Sequence, residues 1–462
     1  MGLGTVLSKK MRTTPPVRFV VISFLILILI GGLVLALPIC SRSGQGTRLP
    51  DALFTSVSAV CVTGLSKFDT WVHWSAFGQV VILLLIQLGG LGIITFTTGF
   101  TLLFRQKLGL RELSLAAREN LQGENLNVSQ LLRMILTVTF VAEGAGALLM
   151  ALRFVPQFGP YGLWLAVFHA VSAYCNAGFD IMGFLQPYGS LIPYAGDPLV
   201  MVPTYALMLV GGLGFVVISD VYYNKIYRRI KGQKPSPLSF HSAVVLISEL
   251  VLLTLGMLAF LSLEYDNTLR GMNWGDKIIT AWFQSNTVRT AGFTAVDVTQ
   301  QRDVTTLFSL VLSFIGTAPC STGGGIRTTT LVVLGATVIS VLRGREETVI
   351  RHHMISHTAV YRALTIFIGN VVTVLVTAGV VLLCNSEKHV GAMVALQEAV
   401  AACSTIGISP SLTPLLDDPS LIALSVAMFI GRVGLVSFGL SVSVRHMGKP
   451  GCVMPEARII VG

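Results

Sequence analysis

Four glycines at constant spacing are the residues of this sequence with the clearest chemical potential. They are Gly64, Gly178, Gly292 and Gly407, which lie 114, 114 and 115 residues apart. Each is the next-to-last residue of a similar segment: FTSVSAVCVTGL, FHAVSAYCNAGF, WFQSNTVRTAGF and QEAVAACSTIGI. Because unrelated apolar segments would not keep this spacing, the sequence predicts four copies of one unit.

The apolar run before the first of these glycines, from Leu49 to about Val60, is too short to cross a bilayer, which takes ~20 residues. The sequence therefore predicts a half-helix that enters the membrane and turns back at Gly64. Irregular backbone at membrane depth is tolerated where it is buried in protein or lines a water-filled cavity. Four such loops would converge on one axis, where a ring of backbone carbonyls can replace the hydration shell of a potassium ion. The C-terminal ends of the half-helices favour a cation there.

The residues beside the glycines are the candidate ion-binding residues of a selectivity filter. They are Val62, Thr63 and Gly64; Asn176, Ala177 and Gly178; Thr290, Ala291 and Gly292; and Thr405, Ile406 and Gly407. A carbonyl filter depends on backbone geometry, for which glycine supplies φ freedom, so the loops can differ in side chain. The alternative, a simple tight turn at each glycine, does not account for four at equal spacing. Potassium at the filter is the only metal, and no organic cofactor is expected.

Each unit must position its half-helix between two full membrane spans. The outer spans are expected at about 17–37, 131–152, 241–263 and 361–384. The inner spans are expected at about 74–104, 199–223, 305–342 and 421–444, with only the third interrupted. The predicted fold is an all-α membrane protein of four tandem helix–pore-loop–helix units in a pseudo-fourfold arrangement around one central pore. The units are expected at 1–110, 111–235, 236–350 and 351–462.

Composition also indicates a membrane protein. Of 462 residues, 53% are hydrophobic and 12% charged, whereas soluble domains carry roughly 25% charged residues. The net charge of +10 does not indicate nucleic-acid binding, because no basic patch is interleaved with aromatic residues. Twenty-one Lys and Arg residues lie on one predicted side and eight on the other. The positive-inside rule then places both termini in the cytoplasm and the half-helix entrances outside.

The third inner span contains a run that cannot stay helical, FIGTAPCSTGGGIRTTT from Phe314 to Thr330. The predicted role is a gating loop over residues 316–325 across the permeation path. Its candidate gate residues are Gly316, Ser321, Thr322, Gly323, Gly324 and Gly325. A passive kink is the alternative, and the GxxxxGK[ST] pattern of a phosphate-binding loop is absent.

Arg432 lies inside the last span, where an arginine costs about 2.5–3.5 kcal/mol unless it has a partner or a water path. It is predicted to latch the gating loop through free carbonyls, with a structural arginine reaching the cytoplasmic face as the alternative. Arg289, beside the filter, is predicted to point away from the axis and pair with a buried carboxylate. Glu143 and Glu249 are both candidates, and the sequence does not choose between them.

Three further polar residues carry weaker expectations. Asp220, near the inner end of its span, is expected to be solvated. His169, on the second half-helix, is expected to pack and bind no ligand. Asn176 adds a polar side chain near the filter, with no role assigned.

The motifs CVTGL, CNAGF, RTAGF and STIG, in this four-unit plan, resemble the Trk/Ktr/HKT superfamily of potassium transporters and channels over nearly the whole chain. The single outer span before the first pore loop and the ending PEARIIVG are similar to the Ktr type of membrane subunit more than to the TrkH type. The gating loop departs from the family's Ser-Pro-Gly-Ser, since this chain has Ala318-Pro319-Cys320-Ser321.

The resemblance implies a potassium filter, because the plant relatives that transport sodium have serine at the position of Gly64. It also implies an intramembrane gate that contacts Arg432. Its partners would be a second copy in a homodimer, each protomer with its own pore, and a cytosolic nucleotide-binding ring similar to KtrA. The basic loop 225–234 could dock that ring or anionic lipid.

The predicted function is that of a potassium-selective ion-translocating subunit of an uptake system in the cell membrane. It is not expected to be an enzyme, because no HExxH motif and no paired aspartates in spans are present. A sodium-permeable or non-selective monovalent cation channel of the same fold is the closest alternative. A secondary transporter is less favoured, because the repeat is fourfold and parallel.

Overall fold

The computed structural model describes residues 16–104, 128–410 and 412–435. The predicted inner end of the eighth span and the C-terminal tail therefore lie outside the described residues. The helices of the first half are α1 (Pro16–Leu35), α2 (Leu49–Val60), α3 (Thr70–His73), α4 (Ala76–Phe104), α5 (Val128–Phe158), α6 (Pro160–Tyr174), α7 (Pro198–Gly212), α8 (Phe215–Val221) and α9 (Arg228–Ile230). The second half contains α10 (Phe240–Glu264), α11 (Trp274–Thr290), α12 (Asp303–Ile315), α13 (Thr328–Leu342), α14 (His357–Cys384), α15 (Ala392–Cys403) and α16 (Asp418–Val433).

The remaining elements are short. A π-helical turn, Tyr222–Tyr227, connects α8 to α9. Two strands, β1 (Thr348–Ile350) and β2 (His353–Ile355), pair antiparallel between α13 and α14. Helix is thus the dominant element of the described chain, as predicted.

Three helices are long and apolar enough to cross a membrane by length and composition: Leu132–Phe158, Phe240–Glu264 and His357–Cys384. The bent pair formed by α7 and the chain from Phe215 to Ile230 is a possible fourth. In the described part of the chain, the first, second and sixth predicted spans correspond to shorter apolar helices, Val20–Leu35, Ala76–Gly92, and Asp303–Ile315 with Thr328–Leu342. The eighth corresponds to the described part of α16, Asp418–Val433. The expected eight spans are therefore matched in position but only partly in length.

The four predicted half-helices are α2, α6, α11 and α15. Three of them end with the same cap, in which a non-glycine residue two positions before the filter glycine adopts a left-handed conformation. These residues are Val62, Asn176 and Thr405, with φ of 58°, 58° and 50°. The third half-helix differs, because α11 continues to Thr290, and Ala291 and Gly292 both donate to Thr287 O at 3.1 Å.

The prediction that the third inner span is interrupted is confirmed, since residues 316–327 separate α12 from α13. The prediction that the other inner spans are continuous is wrong for the second. Its two parts, α7 and the chain from Phe215 to Ile230, meet at an angle of 99°. The break is at Gly214, whose φ of 84° ends the helix.

Candidate functional site

The four equally spaced glycines lie close together, and each contacts the loop of the next unit, so that the contacts form a closed cycle. A Cβ built on Gly64 would collide with the carbonyl oxygen of Ala177, the residue before the second glycine. The same relation holds from Gly178 to Ala291 O, from Gly292 to Ile406 O, and from Gly407 back to Thr63 O. All four glycines have φ between 71° and 90°. Each loop therefore presents a glycine to a backbone carbonyl of the next, and a side chain at any of the four would disturb its neighbour.

Side chains on three of the half-helices hold the backbone that follows the glycine. Ser172 Oγ donates to Phe179 O at 2.7 Å, and Thr287 Oγ1 donates to Phe293 O at 2.7 Å. In the fourth loop, Glu398 accepts hydrogen bonds from Ser409 Oγ and from the amide and hydroxyl of Thr413. Ordering these loops costs conformational entropy. Buried hydrogen bonds of this kind stabilise the ordered backbone and offset part of that cost.

The inner helices approach the half-helices at one repeated position. The carbonyl four residues before a filter glycine packs directly against an inner-helix glycine in three units. The pairs are Gly89 with Val60 O, Gly211 with Tyr174 O, and Gly431 with Cys403 O. In the third unit Ser313 stands at that place, and its hydroxyl donates to Val288 O at 2.6 Å. The close packing places the inner helices directly against the ends of the half-helices.

The predicted gating loop closes on itself. Ile326 N donates to Phe314 O at 3.1 Å, and Arg327 N donates to Ile315 O at 3.0 Å, so the chain returns to the end of α12. Arg327, which the sequence analysis did not single out, has φ of 80°, and its half-buried side chain lies inside the loop. One nitrogen, Nη1, donates to Ala318 O and Gly323 O at 3.2 and 2.6 Å. The loop is thus a projection held from within by its own arginine.

This projection extends from the second pore loop to the fourth, which are opposite in the cycle. On one side, Asn176 Nδ2 donates to Thr322 Oγ1 at 2.7 Å, and Thr322 Oγ1 donates to Tyr174 O at 3.1 Å. On the other side, Gly324 lies against Ser404 O and Thr405 Oγ1 so closely that a Cβ would not fit. The loop therefore passes beneath the cycle of glycines. Asn176, to which the sequence analysis assigned no role, connects the second glycine loop to it.

Thr322 is hydrogen-bonded through its amide and its carbonyl as well as its hydroxyl. Its amide donates to Gly211 O at 3.1 Å, and its carbonyl accepts from Arg432 Nη1. The other terminal nitrogen of Arg432 donates to Gly89 O and Gly90 O at 2.7 and 3.2 Å. Arg432 is 2% exposed. The sequence prediction that it contacts carbonyls of the loop is confirmed, and the alternative of an arginine reaching the cytoplasmic face is not what the structure contains.

Arg289 is fully buried and forms a bidentate pair with Glu249, with N–O distances of 2.9 and 3.2 Å. It also donates to Gly316 O, where the gating loop begins, at 2.8 Å. The prediction of a carboxylate partner is confirmed, and Glu249 is that partner. Glu143 instead accepts a hydrogen bond of 3.3 Å from Gln87.

Asp220 is not solvated, contrary to expectation. It is 2% exposed and accepts hydrogen bonds from Asn224 Nδ2 at 2.5 Å and from Ser239 Oγ at 2.7 Å. The break at Gly214 redirects the chain, so the end of this segment packs against the start of α10. His169 is buried, with Nδ1 at 2.8 Å from Leu165 O, as its predicted packing role requires.

Three buried side-chain oxygens near the filter glycines lack a hydrogen-bond partner among the described residues. They are Thr63 Oγ1, Asn176 Oδ1 and Thr405 Oγ1. Buried oxygen atoms without a partner are costly unless water or a cation satisfies them. No group of three or more His, Cys, Asp or Glu side chains suited to a metal ion occurs in the part of the chain that the structure describes.

Comparison with known proteins identifies related sequences and a related fold. A family model described as TrkH, cation transport protein, matches residues 11–448. The Ktr system potassium uptake protein B of Bacillus subtilis is 36% identical, over 94% of this chain and 94% of its own length. The potassium/sodium uptake protein NtpJ of Enterococcus hirae is 34% identical, over 99% and 100%. The crystal structure of the potassium transporter TrkH from Vibrio parahaemolyticus has a TM-score of 0.67 at 16% identity, over 91% of this chain and 82% of that one.

Proposed function

Since the chain belongs to the TrkH family of cation transport proteins, we propose that it is the potassium-selective, ion-translocating subunit of a potassium uptake system. The family transports cations and is not a family of enzymes. The observation that carries the proposal is the closed cycle in which each filter glycine faces a carbonyl of the next loop. Such a cycle brings four loops to one axis, as a ring of ion-coordinating carbonyls requires.

The filter is formed by the three residues that end at each glycine, and potassium is the transported ion. The half-helices α2, α6 and α15 end four residues before their glycine, and α11 ends two residues before it, so the negative ends of four helix dipoles point at the same place. The unpartnered oxygens of Thr63, Asn176 and Thr405 add polar ligands just below. The four units are then arranged with pseudo-fourfold symmetry around the pore.

The gate is the projection from Gly316 to Gly325. It lies between two opposite pore loops, and a segment in that place obstructs an ion that has passed the filter. Arg432 acts as its latch, because its carbonyl partners lie both on the loop and on α4. Opening requires that these hydrogen bonds exchange for water.

The system has further parts. The relative from Bacillus subtilis is named as one protein of a Ktr system, and this chain is proposed to work with a cytosolic nucleotide-binding ring. It acts as a homodimer in the cell membrane, with both termini in the cytoplasm. The excess of Lys and Arg on the predicted inner side supports that orientation.

The test is rubidium uptake by the purified protein in liposomes, competed with external potassium and then with sodium. Block by potassium but not by excess sodium is expected. Deletion of Thr322–Gly325 should raise basal uptake, and flat uptake in a folded deletion variant would contradict the gate.

A sodium-permeable pathway is the second candidate, because a relative that covers 99% of the chain is named for both potassium and sodium. Equal block of rubidium uptake by the two ions would favour it. The filter position Gly64 argues for potassium, since the resemblance associates serine there with sodium.

A further inference from the structure

The chain from Phe215 to Ile230 is the element that the sequence analysis did not foresee. It leaves the second inner helix at 99° and so runs across the direction of α7 rather than continuing it. A π-helical turn, Tyr222–Tyr227, lies within it, and such turns are frequent at functional sites. We call this element, residues 215–230, the transverse segment.

One end of the transverse segment is bonded to the gating loop. Phe215 N donates to Cys320 O at 3.0 Å, and Ala318 N donates to Gly212 O at 3.2 Å, so the two chains pair across the break. Phe215 is 3% exposed and packs with Leu91 and Cys320. A Cβ on Gly214 would collide with Pro319 O, which shows how closely the hinge follows the loop.

The other end is exposed and amphipathic. Tyr222, Ile226 and Ile230 lie four residues apart and are 36%, 48% and 76% exposed. Lys225 and Arg229 are exposed on the same stretch. The single acidic residue of the segment, Asp220, is turned inward to Asn224 and Ser239.

An exposed apolar row beside basic side chains is the pattern of a helix that lies in a membrane interface. Anionic lipid headgroups complement the basic residues, and each one near such a surface contributes about 1 kcal/mol, or about fivefold in binding. A folded acidic protein would complement the charge but not the row of Tyr222, Ile226 and Ile230.

We propose that the transverse segment binds anionic phospholipid through Lys225 and Arg229, and that this contact stabilises the closed gating loop through the backbone bond from Phe215 to Cys320. The coupling rests on the proposed function of that loop. Bound lipid stabilises the observed position of the segment, and the segment in that position stabilises the closed loop. Loss of the lipid contact releases both.

The lipid contact is tested without ion flux. The variant Ile230→Cys is placed in nanodiscs of phosphatidylcholine, either alone or mixed equally with phosphatidylglycerol. Its rate of labelling by a water-soluble maleimide is measured, and the rate for the parent protein is subtracted as background. Phosphatidylglycerol should slow labelling. The added changes Lys225→Gln and Arg229→Gln should remove this protection, whereas Arg343→Gln with Arg345→Gln, which removes the same charge elsewhere, should not. Labelling that is indifferent to phosphatidylglycerol overturns the proposal.

The coupling is tested by rubidium uptake in liposomes of the same two compositions. Phosphatidylglycerol should lower basal uptake by about fivefold, the lower range of coupling between two sites. Phe215→Pro lacks the N–H that bonds Cys320 O, yet proline suits the first position of a helix; it should abolish the lipid effect. Phe215→Ala, which keeps the N–H, should retain it.

The two failures are distinguishable. Potassium-selective uptake that is equal in both lipids, or a lipid effect that survives Phe215→Pro, overturns the coupling and leaves the proposed function standing. Absent uptake, or uptake that sodium blocks as well as potassium, overturns the proposed function and the coupling with it. The labelling result then still decides the lipid contact by itself.

Discussion

Two buried arginines contact the gating loop and differ in their partners. Arg289 pairs with the carboxylate of Glu249 and holds Gly316 O, the first carbonyl of the loop. Arg432 has carbonyl partners, on Thr322 in the middle of the loop and on α4. It makes no ion pair with any carboxylate that the structure describes.

The difference assigns a role to each arginine. A buried arginine with a bidentate carboxylate has its charge neutralised in place, and moving it would expose two charges. An arginine bound only to carbonyls keeps its full charge, and water can replace each partner. On the proposed gating role of the loop, we therefore expect Arg289 to fix the end that stays in place and Arg432 to hold the part that moves on opening.

The largest expected effect comes from breaking the fixed pair. Glu249→Ala leaves the charge of Arg289 buried without its counterion and should lower the free energy of unfolding by about 3–5 kcal/mol. Thermal unfolding in detergent measures this. The double change Glu249→Leu with Arg289→Met should recover much of the loss, because an apolar pair of similar volume replaces the ion pair.

The matched control is Glu143→Gln. Its carboxylate is also buried in an outer helix, but it faces an amide, Gln87, instead of an arginine. Its effect should stay within about 1 kcal/mol. If Glu249→Ala and Glu143→Gln lowered the free energy of unfolding equally, the ion pair of Arg289 with Glu249 would have no special role in stability.

The next effect concerns the latch. Hydrogen bonds to a charged group contribute about 1.5–3 kcal/mol each, so loss of even one of the contacts of Arg432 should favour the released loop by about tenfold or more. Arg432→Ala should therefore raise basal rubidium uptake by that factor without a large loss of stability. Arg432→Lys, which lacks the planar fork, should be intermediate. Parent-like uptake by the folded alanine variant would contradict the latch.

A change in the filter should alter selectivity and not the gate. Gly64→Ser places a Cβ against Ala177 O at a φ of 90°, so the carbonyl ring must shift. The sodium-to-potassium flux ratio should rise severalfold. Gly344→Ser is the control, because Gly344 also has positive φ but open space around its Cβ position. An unchanged ratio in Gly64→Ser would count against the filter assignment.

The smallest effect is expected at the connection between filter and loop. Asn176→Ala removes one hydrogen bond to Thr322 Oγ1, worth about 1 kcal/mol, and should raise basal uptake by about fivefold. Thr322→Val should act similarly, whereas Thr322→Ser keeps the hydroxyl and should resemble the parent. If valine and serine at position 322 gave the same uptake, the side-chain bond would have no part in closure.

The four glycine loops could be predicted from the sequence, because their signal is a repeat. Equal spacing of four glycines requires no knowledge of tertiary structure, and the cycle from Gly64 through Gly407 has the order that the repeat implies. The contact of Arg432 with the gating loop was also accessible, because a charge inside an apolar span requires partners and a glycine-rich loop offers free carbonyls.

The break in the second inner helix could not be predicted in this way. The sequence Gly-Gly-Leu-Gly occurs at 89–92 and again at 211–214. The first copy continues as α4 to Phe104, whereas the second ends α7. The local sequences are the same, so the difference lies in tertiary contacts: the second copy pairs with the gating loop through the amide of Phe215. The choice between Glu143 and Glu249 was open for a similar reason.

The most direct measurement is the basal rubidium uptake rate together with the sodium-to-potassium flux ratio, for the parent, Arg432→Ala and Gly64→Ser in one liposome preparation. The account predicts a raised rate with an unchanged ratio in Arg432→Ala, and a raised ratio with a nearly unchanged rate in Gly64→Ser. If either substitution moved both quantities together, filter and gate would not be separate elements, and the account would be contradicted.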